Sequence, residues 1–220
     1  MTLPNWLDWA RRLQSIAQSG AYYARQFDHP FDLERYAQIE RIAAEIIAAS
    51  EPGRIDALAH IENLFAAQAG HATPKIDVRG VVFHDDKILL VQEKLDGDRW
   101  TLPGGWADVG ESAAESTVRE VWEESGYRVR AAKLIALYNR DDVRHGHPPF
   151  VFHAYKAFFR CQLVSDQRDI DPNNIETGEI GWFGEPDIAG LDLSIGRVTA
   201  AQIARFFEHR RQPDLPTEYD

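Results

Sequence analysis

Residues 105–127 read GWADVGESAAESTVREVWEESGY, and the fold is read outward from this stretch. Ser112 with Glu115 three residues later is a capping-box pair, which predicts a helix from about Ala113. Gly126 stands where a left-handed residue would stop that helix. At roughly 100° per residue, Glu120, Glu123 and Glu124 share one face, while Val118 and Val121 share another that a sheet can cover. The three carboxylates repel one another at the negative end of the helix dipole, where each anion costs about 0.3–1 kcal/mol. No lysine lies in the helix to offset them. Two readings follow: a solvated, glutamate-rich surface helix, or a divalent cation bound by hard oxygen ligands that reverses the sign of these terms.

The spacing separates the two. Gly105, five residues, Glu111, seven residues, Arg119-Glu120, then Glu123-Glu124 and Gly126 resembles the signature box of the Nudix hydrolases, with every fixed position present. Tyr127 is an aromatic where the family more often carries an aliphatic side chain. The resemblance implies an α/β fold, the Nudix α/β/α sandwich with a mixed sheet, over about residues 75–210. It implies Mg2+ as cofactor with Mn2+ as a substitute, and Glu120 and Glu124 as metal ligands. Glu123 would be a third ligand or the group that takes the proton from water. Arg119 and Glu111 would pair and orient the glutamates, and Gly105 would offer a backbone carbonyl to metal or substrate. Family members often recruit an acid from outside the box; Glu176 and Glu179 are the candidates, each also readable as an ordinary loop acid.

Composition bounds the partners. The chain has 220 residues and a net charge of −11, so bulk electrostatics oppose nonspecific binding to nucleic acid or to an anionic membrane. An anionic substrate then needs local cations. The single cysteine, Cys161, excludes an internal disulfide framework, fits a reducing compartment and reads as a small core residue. The N-terminus lacks the layout of a signal peptide and no apolar run approaches the length of a membrane span, so a soluble, cytoplasmic protein is expected.

Residues 1–70 read as helices alone. Trp6, Ala10, Leu13 and Ala17 recur at helical spacing; Tyr36, Ile39, Ala43, Ile46 and Ile47 do so again, with Asp32 as the cap; Leu58, Ile61, Leu64 and Phe65 form a third stripe ended by Gly70. So small a unit buries a modest core and is expected to pack on the rest of the chain or on a second subunit, which predicts a homodimer. Its aromatic cluster, Trp6, Trp9, Tyr22, Tyr23 and Phe27, reads as helical core or dimer contact, with a base-stacking surface as the alternative. These 70 residues, with His145-Gly146-His147-Pro148-Pro149 further on, also resemble the Nudix subgroup that has a small all-α N-terminal domain and acts on nucleoside diphosphates linked to another moiety.

After the linker Gly70–Pro74 the texture changes to strands: Ile76–Phe83, an Asp85-Asp86 turn, Lys87–Gln92, then a loop around Gly97. Val129–Tyr138, Phe150–Cys161 and Gly178–Phe183 read as further strands, with Gln162–Thr177 as a polar connection. Thr199 with Gln202 caps a last helix that buries Ile203, Phe206 and Phe207. Arg79, Arg140 and Arg144 could grip a diphosphate through bidentate hydrogen bonds, Arg79 foremost because its strand lies beside the box. His145 and His147 are spaced like a metal pair, yet no cysteine or further histidine completes a zinc site, so His147 is a candidate for substrate contact or loop packing.

The resulting expectation is a Mg2+-dependent pyrophosphohydrolase that splits a nucleoside diphosphate linked to X, with ADP-ribose first and CDP-choline-like alcohols second. A non-catalytic nucleotide-sensing module and an enzyme acting on RNA ends are the competing classes. The retained glutamates weigh against the first, and the acidic balance weighs against the second.

Overall fold

The structure, a computed structural model, describes residues 4–27, 29–50, 56–169 and 177–220. The chain divides into two compact units, Met1–Pro74 with Pro149–His153, and Lys75–Pro148 with Ala154–Asp220. The first holds helices α1 (Asn5–Gln26), α2 (Pro30–Ala48) and α3 (Ala57–Ala66). Leu7, Ala10, Ala43, Ala44, Ile47, Ile61 and Phe65 form its core, and Val151 and Phe152 pack against them. Gly20 lets α1 approach α2 closely, because a Cβ there would lie 2.3 Å from the Tyr36 ring.

Two expectations are corrected in this unit. Helix α2 starts at Pro30, with His29 as the flanking residue, so Asp32 lies inside the first turn and pairs with Arg35 at 2.9 Å. Proline suits a first turn, whose N–H groups lack helical partners anyway. Phe150–His153 is no strand. Arg11 donates through Nε to the Val151 carbonyl at 3.1 Å and through Nη2 to those of Phe150 and Phe152, which draws this segment to the helical unit.

The second unit is built on strands β1 (Lys75–His84), β2 (Lys87–Glu93), β3 (Arg99–Thr101), β4 (Tyr127–Asn139), β5 (Ala154–Arg168), β6 (Thr177–Phe183) and β7 (Glu218–Tyr219). Their order is β3-β2-β1-β5-β4-β7, with β6 also paired to β2. Strand β1 runs parallel to β5 and β4 parallel to β7, while the other pairs are antiparallel, so the sheet is mixed as expected. Strand β5 continues to Arg168 rather than ending at Cys161, since Gln162 and Leu163 pair with Arg130 and Val129. Its outer half is polar because it is exposed, which concealed it as a strand. Residues beyond 210 also belong to this unit: Thr217 Oγ1 donates to the Leu134 carbonyl at 2.6 Å beside the β4–β7 pair.

Helix α4 (Ala113–Ser125) covers one face of the sheet, where Val121 meets Val82, Leu89, Val129 and Cys161. Helix α5 (Ala200–Arg211) covers the other, packing Ile203, Phe206 and Phe207 on Val81, Ile88, Leu90 and Phe158. Burial pushes the Cys161 thiol up to about 12, as befits an inert core residue. Among the described residues, no helix is long and apolar enough to cross a membrane.

One departure from regular pairing makes room for function. Strand β1 pairs with β2 only at Phe83–Ile88 and His84–Lys87. Its earlier residues bond instead to the loop before α4: Gly80 N–H to Pro103, Val78 N–H to Gly105, and Ala107 N–H to Ile76. The sheet therefore opens like a wedge, and Gly80 lets α4 settle there, since a Cβ would lie 2.2 Å from Val121 Cγ2. Gly80→Ala is expected to destabilise the fold by about 1–3 kcal/mol through overpacking, read as a lowered midpoint in denaturant unfolding. An unchanged midpoint would contradict this packing.

Candidate active site

Helix α4 begins with the predicted capping box: Glu115 N–H donates to Ser112 Oγ at 3.2 Å, and Ser112 N–H to Glu115 Oε2 at 2.8 Å. It ends at Gly126, whose φ of 74° suits glycine and turns the chain directly into β4. With both ends fixed and Val121 buried, the position of every glutamate in the last two turns is set by helix geometry.

Arg119 is the hub. Its Nε donates to both oxygens of Glu111 at 3.1 Å, and its Nη1 to Glu120 Oε1 at 3.0 Å and Glu123 Oε2 at 2.9 Å. Asp108 Oδ2 lies 2.9 Å from Nη2, yet that nitrogen makes no hydrogen bond, so Asp108 contributes an ion pair without donor alignment. Glu111, then Glu123 and Glu120, hold the guanidinium proton more firmly than in free arginine. In return the Arg119 and Ser116 hydrogen bonds hold the Glu111 carboxyl below its ordinary value. One cation thus gathers four carboxylates but cannot neutralise them.

Glu120 and Glu124 are left under strain. Burial raises the Glu120 carboxyl above its ordinary value, against the pull of Arg119. Burial pushes Glu124 up to about 8, opposed by Arg79 and by the Gly104 N–H that donates to its Oε2 at 2.9 Å. Gly104, at φ +144°, packs its α-carbon on β1, where a Cβ would sit 2.0 Å from the Val78 carbonyl. The Gly105 carbonyl, expected to face metal or substrate, accepts the Val78 N–H at 2.8 Å through one of its two lone pairs. Gly105 also leaves room at Glu120, because a Cβ would stand 3.0–3.1 Å from that carboxyl group. Hard oxygen donors, unspent negative charge and a cradle that a Cβ would fill all fit a divalent cation.

The remaining candidates divide. Arg79 is buried on β1, with Nε donating to Asp77 Oδ1 at 2.7 Å and Nη1 to the Leu102 carbonyl at 3.2 Å; the charges of Glu124 and Glu120 act on it. Glu179 is exposed and precedes Ile180, which packs in the cluster under α4, so strand alternation turns Glu179 to the opposite face. Glu176 lies outside the described residues. His147 donates from Nδ1 to the Ile195 carbonyl at 2.6 Å and accepts at Nε2 from Gln202 at 3.1 Å. Burial holds its pKa down to about 4, so it is a neutral anchor tying its loop to the start of α5. His145 stacks on Tyr138 at 4.1 Å and meets Asp220 at 2.9 Å. Asp142, His145 and Asp220 bring ligand atoms within 4.8 Å of one another, but Arg144 already bridges the two carboxylates at 2.8 and 2.9 Å. Arg144 is therefore committed there, and Arg140 is buried with its guanidinium on the Pro148 and Gly196 carbonyls.

Sequence reading passed over Asp77, Lys156 and Glu93. Lys156 is fully buried on β5 and ion-paired to Asp77 Oδ2. Glu93, at the end of β2, pairs with Arg197 at 3.3 Å and adds to the negative potential at Glu124. The available signal was a lysine in the apolar run Ala154–Phe159, and an aspartate two residues before Arg79, hence on the same strand face.

Comparison with known proteins identifies the family. The sequence model of the NUDIX domain matches residues 73–202, and that of the "UDP-X-like, N-terminal oligomerisation domain" matches residues 4–65. The chain is 37% identical over 215 residues to the "Putative ADP-ribose pyrophosphatase YjhB" of Bacillus subtilis strain 168, covering 98% of this chain and 97% of that one. The crystal structure of an ADP-ribose pyrophosphatase from Streptococcus suis is 36% identical, with a TM-score of 0.57 over 67% of this chain and all of that one. A UDP-X diphosphatase structure is 25% identical, with a TM-score of 0.57 over the full length of both chains. The chain belongs to the Nudix hydrolase family, and it is an enzyme of the pyrophosphohydrolase type with the helical N-terminal domain of the UDP-X-like subgroup. Nudix hydrolases generally use divalent metal ions, the class of ligand that the Glu120 and Glu124 carboxylates beside the Gly104-Gly105 loop fit.

The Glu124 shift has a sign that can be measured. Without metal, the folded chain keeps this proton up to about pH 8, whereas the unfolded chain releases it near the ordinary value of 4.5. The folded state then binds more protons than the unfolded state in this window, so this group lowers stability as pH rises through it, by on the order of a few kcal/mol. Denaturant unfolding in chelator at pH 5 and pH 8 is expected to show this loss in the native sequence and a smaller one in Glu124→Gln. Identical pH slopes would contradict the assignment.

Proposed function

We propose that this enzyme is a Mg2+-dependent hydrolase of nucleoside diphosphates linked to a second moiety, with ADP-ribose as the first substrate and Mn2+ as an effective substitute. The observation that carries the reading is the Arg119 constellation, with Glu120 beside Gly105 and Glu124 on the Gly104 N–H, where the glycine loop takes the place of β2 along β1. The names of the Bacillus and Streptococcus relatives support ADP-ribose. A UDP-linked substrate is the second reading, supported by the subgroup description and the full-length structural neighbour.

In the reaction, a water oxygen bonds to one phosphorus and the bridging P–O bond breaks, giving a nucleoside monophosphate and phosphorylated X. Glu120 and Glu124 would hold a divalent cation, which would neutralise the diphosphate oxygens and lower the pKa of a water bound to it. Glu123 is the third ligand or accepts the proton from water. Arg119 fixes the Glu120 and Glu123 carboxylates, and Glu111 fixes Arg119, so those two residues orient the reacting groups. Arg79 presents positive charge to the diphosphate.

The helical unit is proposed to pair two copies of the chain. Trp9, Ile16, Phe27, Phe31 and Ile42 are exposed apolar side chains on α1 and α2 or between them, and the subgroup's N-terminal domain is described as an oligomerisation domain.

A panel of nucleotide sugars, dinucleotides and CDP-alcohols assayed with Mg2+ and Mn2+ tests the assignment. ADP-ribose turnover is expected, reduced by roughly 100-fold or more in Glu120→Gln and Glu124→Gln and by roughly 10–100-fold in Glu111→Gln. Turnover unchanged in the two ligand variants would reject the site. Light scattering at micromolar concentration is expected to give twice the chain mass, and a monomer would reject the pairing.

A further inference from the structure

Lys156 sits at 0% exposure in the same unit as the box, although neither metal binding nor core packing requires a charge there. Its Nζ pairs with Asp77 Oδ2, while the other oxygen of Asp77 accepts Arg79 Nε at 2.7 Å. A single buried carboxylate thus bridges two buried cations. Strand geometry forces the meeting: Asp77 and Arg79 are alternate residues of β1, and Asp77 stands opposite Lys156 in the parallel β1–β5 register. Arg140 is a third buried cation, but Asp141 Oδ1 lies 3.9 Å from it, so its charge has a counterion of its own.

Counting charges shows what Lys156 changes. An Asp77–Arg79 pair alone would be neutral, and its guanidinium would be spent on its own strand. With Lys156 satisfying the second oxygen, the trio carries a net charge of +1, and Arg79 is the member on which Glu124 and Glu120 act. The arginine is also aimed: Nη1 bonds the Leu102 carbonyl, next to the glycine loop that gives its Gly104 N–H to Glu124. Keeping an ammonium group fully out of water is costly, and burial pulls the Lys156 pKa down to about 8. An apolar residue of equal volume would serve stability at least as well.

We infer that Asp77 and Lys156 are positioning residues that aim Arg79 at the box and keep one unit of positive charge there for the diphosphate of the substrate. The inference rests on the diphosphate reading proposed above and gives that site its anion-binding element. Asp77 fixes the direction of the guanidinium; Lys156 cancels the charge that Asp77 would otherwise subtract.

The charge count makes a prediction that a packing role does not. Lys156→Met leaves the Asp77–Arg79 pair neutral. Adding Asp77→Asn to Lys156→Met restores the net +1, while the new side-chain amide still offers an acceptor to Arg79 Nε. The probe is methylenediphosphonate, a non-hydrolysable diphosphate without base or sugar, titrated with Mg2+ into the full chain by calorimetry, with near-UV circular dichroism to verify folding. Binding to Lys156→Met is expected to weaken at least tenfold, about 1.4 kcal/mol, and the double variant is expected to return to within about threefold of the native protein. If Lys156→Met fails to fold, Asp77→Asn decides: Lys156 loses the counterion that holds its proton and becomes neutral, the charge of Arg79 is left uncancelled, and the count of +1 predicts binding within about threefold of native. The inference is overturned by unchanged binding to Lys156→Met, by a double variant as weak as the single one, by weakened binding to Asp77→Asn, or by no binding to the native protein. ADP-ribose hydrolysis is measured separately, so a native protein that binds the probe but leaves ADP-ribose intact would sink the substrate reading alone.

Discussion

Mutual repulsion among carboxylates is the constraint around which the second unit is arranged. Glu111, Glu120 and Glu123 are collected by the single guanidinium of Arg119, while Glu124 is sunk behind the glycine loop. A helix with this charge at its C-terminal end opposes its own dipole and is held by other means: a capping box at the start, Val121 in the core, and Gly126 at the stop. The wedge between β1 and β2 exists because β1, on the edge away from β5, bonds the loop before the helix instead of β2. Gly80, Gly104 and Gly105 each remove a Cβ that would otherwise keep helix, loop and strand apart.

The charges opposite this wedge answer the carboxylates without neutralising them. Asp77, Arg79 and Lys156 are buried on β1 and β5, where a purely apolar set would pack as well. Their retention as ions is explained if the site has to accept both a divalent cation and a polyanion. The carboxylates provide for the first and the surplus cation for the second. On that reading the metal ligands and the phosphate grip would come from different elements, α4 and β1, which the Leu102–Gly105 loop joins.

What was legible in the sequence follows from how local each interaction is. The limits of α4 depend on Ser112, Glu115 and Gly126, all within or next to the helix, and spacing alone located them. The final helix was equally readable from Thr199 and Gln202. The start of β5 was misread because Phe150–Phe152 is as apolar as a strand, and its destination is decided by Arg11, about 140 residues away in the chain. Its far end was misread for the opposite reason, since a polar exposed strand is recognisable only through its pairing with β4. His147 was readable as substrate contact or loop packing, and its packing partners, Ile195 and Gln202, lie some 50 residues on, beyond the reach of local spacing. Lys156 and Asp77 were missed because their meaning arises only when β1 and β5 come into register.

The claim on which everything else stands is that the carboxylates at the end of α4 form a divalent-cation site. Anomalous diffraction at the manganese edge, from crystals soaked in Mn2+, tests it most directly. A strong peak is expected between the carboxylates of Glu120 and Glu124, beside the Gly104-Gly105 loop. A peak confined to Asp142, His145 and Asp220, or no peak at all with the box glutamates turned away from one another, would contradict it.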